Sequence, residues 1–292
     1  MADGLVPLSD CPADWRALLE LLPRLSWQKL MVIGGPDRGK ALFCRLLLDR
    51  LEESRIASFL LDADISQNLM PPPACVTLGR EQGHWETRAF RFVGGVDPVP
   101  RLAAITAACA ELAQDVPGRL VIKTSGLVNP AGRQLKRLKF SALDPDCVVA
   151  LVKPDDALEP ILAMADPSRL HLLPAWPDLL PRNAAARALA RLTAFQRLLT
   201  GAKVRVFQGQ GFELLETEVL EPDVTYLCGL ADQSGKDLGL GLLLSCDRPA
   251  GTAHVLTAFK GEGVTRLRIG MQAPEELQDY DPARPFLTGH DA

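Results

Sequence analysis

Short apolar runs alternate with amphipathic stretches along residues 14–164 of the chain. Residues 14–22 place their leucines along one side of a helix, which Pro23 ends. Residues 29–33, Lys-Leu-Met-Val-Ile, form a short, almost wholly apolar run that stops at Gly34-Gly35, the pattern of a buried strand. Helical spacing follows over 41–51, with Leu42, Leu46 and Leu47 on one side. A second buried strand is expected over 57–61, stopping at Asp62-Ala63-Asp64, and Pro71-Pro72-Pro73 breaks any helix after it. The alternation continues with strands over 88–93, 120–123 and 147–152 and helices over 99–112, 133–139 and 157–164. Strands that alternate with helices predict an α/β fold, a largely parallel sheet flanked by helices, with ligand groups at the C-terminal ends of the strands.

After Gly201 the period changes. Strand-like stretches at 204–207, 225–230, 238–244, 253–258 and 265–269 are separated by glycine turns such as Gln233-Ser234-Gly235-Lys236, which predicts a small, mostly antiparallel β-rich module. From Gln272 onward the chain is polar and proline-bearing and is expected to be loose. The expected organisation is an N-terminal helical segment (1–25), a nucleotide-binding domain (26–201), a C-terminal β-rich domain (202–271) and a tail (272–292).

Composition narrows the function classes. With 292 residues, 47% hydrophobic and 23% charged, the chain can bury a full core and is not disordered. A net charge of −4 argues against non-specific coating of duplex DNA, while leaving room for a locally basic groove. No stretch has the length and apolarity of a membrane span, and the acidic start is unlike a secretory signal. The seven cysteines lie singly with no C-x-x-C pair, which fits reduced thiols and a cytoplasmic location, and the four histidines have no metal-ligand spacing.

The candidate chemistry begins between the first expected strand and the next helix. Gly34-Gly35-Pro36-Asp37-Arg38-Gly39-Lys40-Ala41 satisfies the phosphate-loop pattern G-x-x-x-x-G-K-[ST] at every position except the last. Glycines there let backbone N–H groups close around phosphate oxygens at a helix N-terminus, and the lysine neutralises the terminal phosphates. Residues 34–42, through Leu42, are therefore the expected nucleotide site, whereas Ala41 cannot ligate a metal. Asp62 and Asp64 end the next expected strand. They read either as a metal-and-base pair facing the γ-phosphate or as a solvated strand end. Arg133, Lys136, Arg137 and Lys139 give a basic helix, either a guide for a nucleic-acid backbone or a solvated face.

Several segments together resemble one family, the P-loop polynucleotide 5′-hydroxyl kinases, related to the RNA kinases of mRNA 3′-end formation, tRNA splicing and rRNA processing. Residues 35–48 resemble its G-P-x-D-x-G-K-S-T-x-C-R-L-L-L, and 61–67 its L-D-x-D-x-G-Q. Phe92-Val93-Gly94-Gly95-Val96-Asp97-Pro98 is similar to F-x-G-x-x-S-P, and Val121-Ile122-Lys123-Thr124-Ser125-Gly126-Leu127 to V-I-N-T-x-G-W. Arg187 and Arg191 resemble the paired-arginine lid, and 229–241 the compact C-terminal module of prokaryotic-type members.

The resemblance implies transfer of the γ-phosphoryl of ATP or another NTP, with Mg²⁺, to the 5′-hydroxyl end of single-stranded RNA or DNA. It implies Lys40 at the transferring phosphoryl, Asp62 in the metal network through water, Asp64 as base and Arg187 with Arg191 over the phosphates. It also implies Thr124 and Gly126 around the phosphoryl group and substrate end, with Gln67 and Ser125 as further substrate candidates; Arg133 and Lys136 of the basic helix are candidates for the substrate backbone by their charge. At three functional positions the chain departs from the pattern: Ala41 for Ser/Thr, Ser66 for Gly and Leu127 for Trp. They define the alternative, a nucleotide-binding scaffold without catalysis.

Overall fold

The computed structural model describes residues 7–81, 85–153, 158–177, 179–216 and 219–278. It divides into two compact units, one of Met1–Pro71, Val76–Phe90 and Asp97–Arg187, the other of Pro72–Cys75, Arg91–Val96 and Ala188–Ala292.

In the first unit, helix α1 (Ala13–Leu21) precedes strand β1 (Lys29–Gly34), helix α2 (Lys40–Glu53) and strand β2 (Ser58–Ala63). Strands β3 (Cys75–Glu81) and β4 (Trp85–Phe92) follow, then α3 (Leu102–Leu112), β5 (Arg119–Thr124), α4 (Pro130–Leu143), β6 (Cys147–Val152), α5 (Glu159–Leu162) and β7 (Leu170–Pro174). The seven-stranded sheet runs β4-β3-β2-β5-β1-β6-β7. Strands β2, β5, β1, β6 and β7 are parallel neighbours, and β3 joins β2 antiparallel.

The buried runs are strands because both faces of this sheet are covered. Leu30 and Val32 of β1, Leu60 of β2, Val121 of β5 and Val149 and Leu151 of β6 share one core with Trp15, Leu19, Phe43 and Leu47 of α1 and α2. Strand alternation sends Met31, Leu61 and Ile122 to the opposite face, the side of α3 and α4. Strands β3 and β7 fell outside the expected pattern. Val76-Thr77-Leu78 is too short a run to stand out after three prolines, and β7 ends in Pro174, which suits its place at the sheet edge. Helix α5 covers part of the stretch expected at 157–164, whose first residue lies outside the described residues.

Helix α6 (Ala184–Leu198) contains the boundary between the units, which falls after Arg187. The second unit holds β8 (Lys203–Gln208), β9 (Gly211–Leu214), β10 (Tyr226–Ala231), β11 (Asp237–Asp247), β12 (Thr252–Thr257), β13 (Arg266–Gln272) and α7 (Glu275–Gln278). Its six-stranded sheet is ordered β8-β12-β11-β10-β13-β9, antiparallel throughout except β13 with β9. The expectation of a loose tail from Gln272 is corrected for 272–278. Gln272 belongs to β13, Leu277 is fully buried, and Gln278 bonds the backbone of Thr225 and Ala273. The rest of that tail lies outside the described residues.

Candidate active site

The parallel register brings the candidate residues to one end of the sheet. Val32 of β1 pairs with Lys123 of β5, and Lys123 pairs with Asp62 of β2. The phosphate loop therefore leaves β1 beside the ends of β5 and β2. Gly34 closes β1, and Gly39 is the N-cap of α2 with a left-handed φ of 96°. A Cβ on Gly39 would stand 2.8 Å from the Trp15 ring, so the loop can close here only with glycine. Trp15 is itself fixed: its Nε1 donates to the Pro174 carbonyl at 2.8 Å, and its ring meets Phe43 and Trp176 edge to face.

Lys40 begins α2, is 7% exposed, and its Nζ donates to the Gly35 carbonyl at 2.6 Å, folded back over the loop. Burial pulls its pKa down to about 8, with Asp64 opposing the fall and Lys123 deepening it. Ala41 and Leu42 occupy the first turn of the same helix, and Ala41 offers no oxygen. Asp37, in the left-handed region at φ 54°, accepts from both Arg187 and Arg182. Although partial burial acts against it, the Arg187 contact holds the Asp37 carboxyl below its ordinary range. Arg38 donates to the Pro36 carbonyl at 3.1 Å.

Asp62 and Asp64 are buried, so the solvated strand end is corrected. Asp62 Oδ1 accepts from Lys123 Nζ at 2.9 Å and from the Asp64 amide at 3.1 Å, and its Oδ2 accepts from the Leu69 amide at 2.5 Å. Lys123 Nζ also reaches Asp64 Oδ2 at 3.5 Å and donates to the Gln67 carbonyl at 3.0 Å. Burial alone would depress Lys123, but the two carboxylates outweigh it and lift its pKa above the ordinary lysine value. Gln67 Nε2 donates to the Arg187 carbonyl at 3.2 Å, joining the acidic loop to the start of α6.

Thr124 is buried, and its hydroxyl donates to the Val32 carbonyl at 2.9 Å, locking β5 to β1. Ser125 follows with a buried Oγ that has no hydrogen-bond partner. Gly126 lies against the phosphate loop: a Cβ there would stand 2.8 Å from Pro36 Cα. Two of the four basic residues of α4 are not on the surface. Lys136 and Lys139 are fully buried, so neither the backbone guide nor the solvated face describes them. Lys136 Nζ donates to the Ser125 and Leu127 carbonyls, and Lys139 Nζ to the Ala63 carbonyl at 2.7 Å. Burial, reinforced by Lys40 and Lys139, lowers Lys136 to about 7. Arg133 is half-buried and bonds the Val128 carbonyl, while Arg137 is exposed.

The structure thus gathers residues 34–42, Asp62, Asp64, Gln67, Thr124, Ser125, Gly126, Lys136 and Arg187 within one unit, and Arg191 falls in the other. The sequence pattern assigns no role to Lys123, Arg182 or Trp15. The signal for Lys123 was present, a lone charge inside the apolar run Leu120-Val121-Ile122. A cavity of about 530 Å³ lined by Gln28, Lys29 and Gln114 opens at the opposite ends of the strands, away from these groups.

A resident Mg²⁺ does not fit this donor set. Ala41 lacks the hydroxyl, both Asp62 oxygens already serve protein donors, and an ammonium stands between the carboxylates. Among the described residues no group of three His, Cys, Asp or Glu side chains is placed to hold a metal. Polyanionic phosphate does fit: among the described residues of this unit the buried acids are Asp62 and Asp64, facing four buried lysines, and the Ser125 hydroxyl is unengaged. No helix of the described residues is long and apolar enough to cross a membrane.

The chain is similar to known proteins over most of its length. A family model described as the mRNA cleavage and polyadenylation factor CLP1 P-loop matches residues 34–201. The polyribonucleotide 5′-hydroxyl-kinase of Thermococcus kodakarensis is 27% identical over 327 residues, covering 89% of this chain and 92% of the relative. Its counterpart in Methanocaldococcus jannaschii is 20% identical over 306 residues, covering 82% and 84%. Among solved structures, wild-type Clp1p in its complex with Pcf11p aligns with a TM-score of 0.69 at 10% identity, covering 87% of this chain and 76% of that one, a likeness of fold.

Proposed function

Because the chain belongs to the family of the mRNA cleavage and polyadenylation factor CLP1 P-loop, we propose that it is an NTP-dependent polynucleotide 5′-hydroxyl kinase. Its substrates are ATP or another NTP, taken with the divalent ion that the phosphates carry, and the 5′-hydroxyl end of single-stranded RNA or DNA. The names of its archaeal relatives favour RNA. The observation that carries this reading is the excess of buried lysines over buried carboxylates where the phosphate loop leaves β1. Lys40, Lys123, Lys136 and Lys139 meet only two buried carboxylates there, and burial lowers the pKa of Lys40, Lys136 and Lys139, a penalty that a bound polyphosphate relieves by favouring their charged forms.

In this reading the loop amides between Gly34 and Lys40 cradle the terminal phosphates at the N-terminus of α2. Lys40 leaves the Gly35 carbonyl for a phosphate oxygen, and the Ser125 hydroxyl, buried without a partner, donates to another. Arg187, held at the loop by Asp37, turns from that carboxylate to the same charge. Asp64 takes the proton of the 5′-hydroxyl as its oxygen forms the bond to the γ-phosphorus and the β–γ bridging oxygen leaves. Arg191 is proposed with Arg187 as a lid residue, four positions on along α6.

The test is γ-labelled ATP with paired oligonucleotides, one ending in a 5′-hydroxyl and one in a 5′-phosphate. Label is expected on the first alone, and is expected to vanish in Lys40→Ala. Release of labelled phosphate at a rate independent of either oligonucleotide would contradict the kinase and mark a plain NTPase.

A further inference from the structure

Lys40 serves the phosphates, whereas another lysine of the cleft, Lys123, is committed to the two carboxylates. Lys123 is 3% exposed, and its three ammonium protons face three acceptors: Asp62 Oδ1 at 2.9 Å, Gln67 O at 3.0 Å and Asp64 Oδ2 at 3.5 Å. Asp62 is committed in the same way, with both oxygens on protein donors. A hydrated divalent ion bridging the two carboxylates requires those oxygens and room for several waters. The lysine fills that place. The oxygen that a phosphate loop ordinarily adds to such an ion follows its lysine, and here that residue is Ala41. Two departures from the usual pattern, far apart in sequence, have one consequence. The hydroxyl that holds a metal is gone, and the positive charge a metal brings is already covalently present.

We propose that Lys123 is the resident cation of this site: its ammonium holds the position between Asp62 and Asp64 that a protein-bound divalent ion would take, so the chain binds no metal there, and any divalent ion enters on the nucleotide's phosphates. The inference rests on reading the cleft as a phosphoryl-transfer site, but it concerns which group supplies the cation. Two bare carboxylates would repel an incoming triphosphate. Lys123 compensates them from within the fold, which leaves Lys40 free to exchange the Gly35 carbonyl for phosphate.

The probe is Mn²⁺, followed by paramagnetic resonance on the nucleotide-free full chain. The wild type is expected to leave the ion in solution, and Asp64→Asn to change nothing. Lys123→Asn is expected to take up one Mn²⁺ per chain about 10–100-fold more tightly than the wild type, and Lys123→Asn/Asp64→Asn to lose it again. A stoichiometric wild-type Mn²⁺ site that Asp64→Asn abolishes would overturn the proposal, and so would a folded Lys123→Asn that gains no site. Should Lys123→Asn fail to fold, as a thermal melt would reveal, the wild-type and Asp64→Asn pair still decides. Label transfer to a 5′-hydroxyl oligonucleotide, run on the same samples, reports the kinase separately. Absent transfer with the expected Mn²⁺ pattern removes the kinase and keeps the lysine, and transfer with a wild-type Mn²⁺ site does the reverse.

Discussion

At the scale of single residues, the site stores its affinity for phosphate as unfavourable charge. Lys40 and Lys136 are held at about 8 and about 7 against an ordinary lysine value of 10.5. The unfolded chain keeps these protons up to the ordinary value, whereas the folded chain releases them earlier. Their contribution to stability therefore rises with pH, starting near pH 7 for Lys136 and near pH 8 for Lys40, and levels off above 10.5. A bound triphosphate reverses the depression, so ATP binding at pH 8 is expected to take up protons. Titration calorimetry in buffers of different ionisation enthalpy measures this, and a binding heat independent of buffer would contradict it. Ser125 separates binding from folding in a second way. Its buried hydroxyl has no partner, so Ser125→Ala is expected to leave the melting temperature unchanged or raise it by the equivalent of about 1 kcal/mol. The same substitution is expected to weaken ATP binding severalfold. A clear loss of stability would show that the hydroxyl serves the fold.

At the scale of elements, helix α1 acts as a buttress for the phosphate loop. Trp15 is fully buried, is bonded to Pro174 and stands against the only face on which Gly39 could carry a Cβ. Trp15→Ala is expected to cost about 3–5 kcal/mol by denaturant titration and to loosen nucleotide binding as well. Intact ATP affinity in the folded variant would argue that the loop holds itself. Gly126→Ala probes the other side of the loop, because its Cβ would press on the Pro36 backbone at 2.8 Å. It is expected to lower ATP affinity more than it lowers stability. These elements were legible to different degrees. Runs such as 29–33 and 147–152 announce themselves because a strand buried on both faces has no polar position to confuse the period. Strand β9 does not, since its four residues are half-buried or exposed. The burial of α4's lysines was hidden for another reason. Helical periodicity assigns a lysine to the surface unless carbonyls wait for it, and those of Ala63, Ser125 and Leu127 arrive from other segments.

At the scale of the whole molecule, the α/β class and the phosphate loop were legible because their signals are local, and the order of several motifs carried the family. The charge balance of the cleft was not, because the contacts of Lys123, Lys136 and Lys139 depend on tertiary structure. The second unit has its own polar anchor: Asp237, fully buried, accepts from Arg268 at 2.9 Å and from the Phe92 amide at 2.9 Å. Asp237→Ala is expected to destabilise that unit by about 3–5 kcal/mol, seen as early loss of amide-exchange protection in β10, β11 and β13. Uniform loss across both sheets would contradict independent anchoring. The central prediction is that Asp64 accepts a proton beside a phosphate held by Lys40. Single-turnover transfer from γ-labelled ATP to a 5′-hydroxyl oligoribonucleotide, with wild type beside Asp64→Asn, measures that step. The expected result is labelled 5′ ends with the wild type and a rate lower by about 10²–10⁴-fold in the variant, with ATP still bound by both. Equal rates in the two chains, or no transfer by a wild type that binds ATP, would contradict it.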